Sequence, residues 1–255
     1  MSALALAFRD SSTMLRRDLL HSVRNPVTLF TALAFPIIML LLFVYVLGGA
    51  FAVGTDYLTY AVPGILVLGV CNGVGATAVN VANDLNQGIV NRFRTMAIAR
   101  VSVLTGHVVG SFLRTMVCSV LVLGLTLLMG FRPTATPVEW LAATGLLALL
   151  VFAVTWLTVA LGLVSKSVDG ASFAAFPLTF APFISSAFAP AETMPAGVRV
   201  FADHQPFTPV IETLRGLLTG TPIGNAWWIS LLWCVGIALA GYLWARARFR
   251  RDPSR

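Results

Sequence analysis

Lysine occurs once in the 255 residues, at Lys166. A phosphate-binding P-loop needs its lysine directly after a glycine, and here Ser165 precedes it. The chain therefore has no ATP site of that type. Charge of either sign is scarce. Asp, Glu, Lys and Arg make up 11%, where a soluble chain carries about 25%. So few charges cannot cover the surface of a soluble fold. Only ten residues are acidic, and none falls within the cores of the long apolar runs. That removes the intramembrane carboxylates on which proton relays commonly depend. Three cysteines, Cys71, Cys118 and Cys234, lie in apolar segments. Their odd number and placement argue against a disulfide framework. The three histidines, His21, His107 and His204, are scattered, with no H-E-x-x-H zinc pattern. There is also no G-x-S-x-G nucleophile elbow.

What is abundant is apolar: 58% of residues, with a mean hydropathy of +0.87. About 20 mostly apolar residues cross a bilayer as a helix. Charge-free runs of that length or more recur, beginning with the 31 residues between Arg24 and Asp56. With the two shorter runs that flank Arg114 joined into one, they predict six spans, at about 28–48, 59–81, 104–129, 140–164, 170–190 and 225–245. The runs are continuous, whereas barrel strands would alternate over about 10 residues. The fold class is therefore an all-α integral membrane protein, a single domain over 1–255. The apolar run Ala3–Phe8 is too short for a secretory signal, and acidic Asp10 and Asp18 follow it. The first span is expected to stay in the mature chain.

The net charge of +7 follows from topology. Thirteen of the seventeen cations lie in the N-terminus, the second connecting loop, the Lys166 turn and the C-terminal tail. The positive-inside rule puts all four segments, and so both termini, in the cytoplasm. No nucleic acid is needed to explain the basic composition. In the first 24 residues Leu4, Phe8, Leu15, Leu19 and Val23 recur at helical spacing. They suggest an interfacial amphipathic helix whose Arg9, Arg16, Arg17 and Arg24 meet anionic headgroups. A plain positive-inside anchor is the alternative.

Between spans two and three, Leu85, Ile89, Phe93 and Met96 form one helical face, and Asp84, Gln87, Asn91 and Arg94 another. Such a helix either docks a partner or lies on the headgroups. The segment after Phe176 carries Pro177, Pro182, Pro190, Pro195, Pro206 and Pro209. They predict a broken fifth helix and short external re-entrant helices before span six, as a lid or a capped loop. Glu212 and Arg215 are spaced to pair there. Arg114 lies within the third span. It is either a pathway residue or an arginine reaching toward the headgroups. Ser185 or Ser186 with His204 would be the raw material of an intramembrane hydrolase, but no third group positions a base. A stand-alone channel would need no docking face at all.

Four stretches in order resemble the permease subunit of ABC-2-type exporters, most closely the daunorubicin-resistance-like group. They are Arg24-Asn25-Pro26; Tyr60-Ala61-Val62-Pro63-Gly64-Ile65-Leu66; Asp84-x3-Gly88-x3-Arg92-Phe93-Arg94 with Ala99-Arg100; and Met194-Pro195 with Gln205-Pro206-Phe207-Thr208-Pro209 and Arg215-Gly216. Met96-Ala97 and Gln205-Pro206 depart from the Leu-Pro and Asn-Pro that such permeases often carry. The resemblance implies a coupling helix of Asp84, Leu85, Gly88, Ile89, Arg92, Phe93 and Arg94, seated in a separate ATPase subunit. It implies two ATPase copies and a second permease chain, identical or homologous, in the plasma membrane. ATP and Mg would bind the ATPase, and this chain would hold no cofactor. Arg114, Glu212 and Arg215 would be pathway candidates. The cargo would be a lipophilic drug or lipid, or alternatively a polysaccharide or glycolipid.

Overall fold

The computed structural model describes residues 26–50, 56–86 and 100–251. Its elements are α1 (Pro26–Leu41), α2 (Tyr57–Asn86), α3 (Arg100–Leu128), α4 (Pro137–Val164), α5 (Val168–Phe180), α6 (Ala196–His204), α7 (Phe207–Thr219) and α8 (Ala226–Arg251). A π-helical turn, Leu42–Leu47, and a 3-10 turn, Gly48–Ala50, continue α1. No strand occurs among the described residues. The predicted interfacial helix, with Arg9, Arg16, Arg17 and Arg24, lies outside the described residues. So do Gly88, Ile89, Arg92, Phe93 and Arg94 of the predicted coupling helix.

Among the described residues, five helical stretches are long and apolar enough to cross a membrane: Leu33–Ala50, Tyr57–Asn86, Thr105–Leu128, Pro137–Val164 and Ala226–Arg248. They overlie five of the six predicted spans. The predicted span 170–190 is realised differently, as a shorter apolar helix over Val168–Ile184. Its last turn, Ala181–Ile184, tightens to 3-10 form with Pro182 near its start. Pro177 and Pro182 lack backbone N–H groups, so regular hydrogen bonding fails where the run of apolar side chains still continues.

Helix ends follow local chemistry. Asp56 Oδ2 accepts from Thr59 N at 3.4 Å at the start of α2. A capping box opens α4: Glu139 N donates to Thr136 Oγ1, and Thr136 N donates to Glu139 Oε2 at 2.7 Å. Ser167 Oγ caps α5 by accepting from Gly170 N at 3.0 Å. Gly220, at φ +73, closes α7 in the left-handed region that glycine adopts without strain.

The core is built around α2 and α4. Val62, Ile65, Val67, Val70, Leu150 and Val151 are fully buried within it. α2 packs against α1, α3, α4, α5 and α7, and α4 carries α8 on its far side. α8 exposes Leu232, Leu239 and Leu243, as expected of a helix facing lipid. Cys71, Cys118 and Cys234 are buried and unbridged, as small apolar residues would be. Apolar surface alone does not drive helices together in lipid, so close packing must do so. At Gly162, an added Cβ would sit 2.6 Å from Ala78 O. At Gly241 it would sit 2.7 Å from Leu157 N. These two glycines set the α4–α2 and α4–α8 separations.

Candidate functional site

The segment after α5 is where distant parts of the chain meet. Irregular backbone cannot satisfy its own polar groups, so side chains must do so. Arg215 of α7 is one of the donors and also binds α2. Its Nη2 donates to Ser186 O at 2.7 Å and its Nε to Tyr60 O at 3.3 Å. Its guanidinium carbon lies 3.8 Å from the centre of the Tyr60 ring. The flat cation thus stacks on an aromatic face while its edge donors reach two carbonyls, a geometry suited to arginine and not lysine. The Tyr60 hydroxyl donates to the same Ser186 O at 3.1 Å, and that of Tyr57 donates to Phe188 O at 3.1 Å. The Gln205 amide donates to Ile184 O, and Ser186 N donates to Thr208 Oγ1 at 3.4 Å. A Cβ on Gly64 would sit 2.6 Å from Ala187 Cβ and 2.8 Å from its carbonyl oxygen. Only glycine lets the irregular segment lie this close to α2.

The expected Glu212–Arg215 pair is not formed. Arg215 turns instead to the carbonyls and to Tyr60. Burial holds the Glu212 carboxyl above the ordinary carboxylate range, with the nearby Arg215 charge acting the other way. Burial likewise lowers Arg215, offset by Tyr60 and Glu212. A carboxyl raised in the folded state favours the protonated form. Stability from this group is present below its unfolded pKa and falls as pH rises through the folded one. Glu212→Gln is therefore expected to flatten the pH dependence of thermal stability above the ordinary carboxylate range, measured as paired melts of the two proteins from pH 4 to 8.

A second feature lies midway along the bundle. Arg114, at the centre of α3, is 8% exposed. It lines a cleft of about 300 Å³ between α2, α3 and α5, together with Asn72, Ser172, Phe176 and Thr179. Beside it Thr77 and Ser111 share a hydrogen bond of 2.6 Å across the α2–α3 seam. From Phe176 a run of rings leads away from the cleft. Phe176 stacks on Phe180 at 4.3 Å, Phe180 on Phe183 at 5.8 Å and Phe183 on Phe188 at 5.5 Å. Phe43 stacks on Phe188 at 3.8 Å. Phe176, Phe180 and Phe183 recur at helical spacing in the sequence, and only Phe43 comes from a distant segment.

At the far end of α2, Asp84 Oδ2 lies 3.2 Å from His107 Nε2 of α3. Leu85 packs against a small cluster that includes Trp156 and Val159. Both residues, expected on the docking helix, thus also tie the end of α2 to its neighbours. The hydrolase arrangement is absent. Ser185 Oγ donates to Pro182 O, and His204 Nδ1 lies 2.8 Å from Val200 O. Neither contact joins a serine to a histidine.

The ABC-2 type transporter family profile matches residues 10–219. This chain belongs to the ABC-2 type transporter family. The daunorubicin resistance ABC transporter permease protein DrrB1 of Streptomyces coeruleorubidus is 32% identical over 242 residues, covering 93% of this chain and 84% of its own length. The probable doxorubicin resistance ABC transporter permease protein DrrC of Mycobacterium tuberculosis (strain CDC 1551 / Oshkosh) is 24% identical over 228 residues, covering 88% and 82%. The chain is thus a multi-pass membrane permease, the transport component of an ABC transporter whose family implies an ATPase partner. The ABC-2 membership also gives the first site a context. Tyr60, Gly64, Gln205, Thr208 and Arg215, which lie in the stretches that carried the resemblance, all converge on residues 184–188 or on one another.

Proposed function

We propose that this ABC-2 permease forms the passage of an ATP-driven exporter for a lipophilic, drug-like or lipid-like substrate. ATP is hydrolysed on a separate chain, since the lone lysine leaves no P-loop here. The observation that carries the reading is the buried Arg114 cleft inside a family-matched bundle. In the working unit two permease chains, identical or homologous, stand on two ATPase copies in the plasma membrane. Val168–Ile184 is the fifth of six spans, shortened because α6 and α7 re-enter from the outer face. Both termini are then cytoplasmic, in keeping with the cation distribution. The segment Asp84–Met96 is the coupling helix, and the N-terminal amphipathic helix borders the ATPase. ATP binding draws the ATPases together, moves the coupling helices and opens the bundle outward.

The aromatic run favours this cargo over a polysaccharide. It consists of phenylalanine, without hydroxyl or indole N–H groups to bond sugar hydroxyls. Arg92→Glu tests the coupling assignment. The variant is expected to insert and to co-purify less ATPase, and to lose most ATP-driven transport. Unchanged transport and unchanged ATPase stimulation would remove the coupling role from this segment.

A further inference from the structure

The seam between α2 and α3 carries polar groups at regular intervals. Along α3, His107, Ser111 and Thr115 follow one another at a spacing of four, which puts them on one helical face. Opposite them on α2 stand Asp84, Thr77 and Gly73. His107 Nε2 lies 3.2 Å from Asp84 Oδ2, and Thr77 and Ser111 share their hydrogen bond of 2.6 Å. A Cβ on Gly73 would lie 3.1 Å from Thr115 Oγ1, so the two helices approach closely there. In a membrane bundle, where apolar surface alone does not drive helices together, packing and hydrogen bonds of this kind hold neighbours in register.

The Asp84–His107 contact is the rung nearest the end of α2. Both side chains are largely sheltered, His107 being 11% and Asp84 17% exposed. An imidazole offers an Nε2–H when protonated and in one neutral tautomer, so the link does not require a charge on the ring. Just beyond Asp84, α2 ends at Asn86, and the chain continues into the remainder of the Asp84–Met96 segment. Asp84 therefore belongs both to the bundle and to the segment. Arg114, which lines the cleft, follows His107 by about two helical turns and so shares this face of α3.

Resting on the coupling assignment above, we infer that His107 is a positioning residue for energy coupling. Through Asp84 it passes movement of the Asp84–Met96 segment to α3, the helix that carries Arg114. With the link made, α3 follows the end of α2. With it broken, the segment moves and ATP is hydrolysed while α3 stays behind. The fold survives the break, because Leu85 still packs against the cluster of Val81, Val108, Trp156 and Val159. What is lost is a directional bond between the two helices.

The test uses the full-length permease with its ATPase in inside-out membrane vesicles. ATP-driven uptake of a pyrene-labelled fatty acid and ATP hydrolysis are measured on the same vesicles, and uptake per ATP is the readout. His107→Leu is expected to lower that ratio about tenfold, the effect of one hydrogen bond to a carboxylate, in complexes that remain monodisperse. His107→Gln puts an amide N–H where Nε2–H stood and should keep most of the ratio. Asp84→Ala combined with His107→Leu should be no worse than the worse single change, as for two residues that act as a unit. A normal ratio in His107→Leu, a His107→Gln as poor as His107→Leu, or losses that multiply in the double variant each overturn the inference. Uptake and hydrolysis that fall in proportion also overturn it, since they leave the pair a structural role alone. Arg92→Glu, measured alongside, separates this failure from that of the coupling assignment. Uncoupling by Arg92→Glu with normal coupling in His107→Leu sinks the inference alone. Normal coupling in Arg92→Glu with uncoupling in His107→Leu sinks the coupling assignment and leaves the Asp84–His107 link standing as a positioning contact.

Discussion

Arg215→Ala is expected to destabilise the chain by on the order of 3 kcal/mol, the sum of a stacked cation and two charge-assisted hydrogen bonds. For a chain of this size that is a fall in melting temperature of about 10 °C. The reason is the burden one guanidinium carries. It satisfies Ser186 O and Tyr60 O and covers the Tyr60 ring at 3.8 Å. Without it the carbonyl of Tyr60 loses a donor, and Ser186 O keeps only the Tyr60 hydroxyl. Arg215→Lys should recover less than half of the loss, because an ammonium cannot stack flat and reach both oxygens. Tyr60→Phe keeps the ring and removes one hydroxyl, so its cost should be about 1 kcal/mol. Melts of the purified protein in detergent should rank the three variants Ala, Lys, Phe from worst to mildest. A neutral Arg215→Ala would mean that residues 184–188 are held by something other than this knot.

The second large effect is steric. Two glycines lie on the same helix, α8, with opposite surroundings. A Cβ at Gly241 would lie 2.7 Å from Leu157 N and 2.8 Å from Trp156 C. These are backbone atoms of α4 and cannot rotate aside. At Gly236 a Cβ would meet nothing within 4 Å among the described residues. Gly241→Ala is therefore expected to cost about 2–3 kcal/mol through overpacking, and Gly241→Leu to prevent α8 from docking at all. Trp156 and Tyr242, in edge contact at 5.0 Å, would separate with it. Gly236→Ala should be neutral, or stabilising by up to about 1 kcal/mol through helix propensity. Size-exclusion profiles after a heat step read the difference directly. Equal behaviour of the Gly241 and Gly236 variants would contradict the α4–α8 contact.

The spans were legible because length and missing charge suffice to define them, and those are local properties. The run between Glu139 and Lys166 becomes α4 almost residue for residue. The run after Asp169 misled, because apolar composition continues through Pro177 and Pro182 although the regular helix stops at Phe180. The prolines carried the correct signal, namely a broken helix. The sites were less legible. Arg114 stood out as a cation within an apolar run, and the fold encloses it against α2 and α5. By spacing, Arg215 is expected to pair with Glu212 three residues earlier. Its actual partner, Tyr60, lies 155 positions away. No spacing rule reaches across that separation. The stretches that carried the family resemblance did contain both residues, without indicating that they touch.

As proposed above, this permease is moved by ATP hydrolysed on another chain. Inside-out membrane vesicles test it, made from cells producing the permease with its ATPase, the permease alone, or neither. ATP-dependent uptake of a pyrene-labelled acyl amphiphile is followed in each. Uptake is expected only when both chains and hydrolysable ATP are present, undiminished by a protonophore and lost with Arg92→Glu. Equal uptake by the permease alone, or uptake abolished by the protonophore, would contradict it.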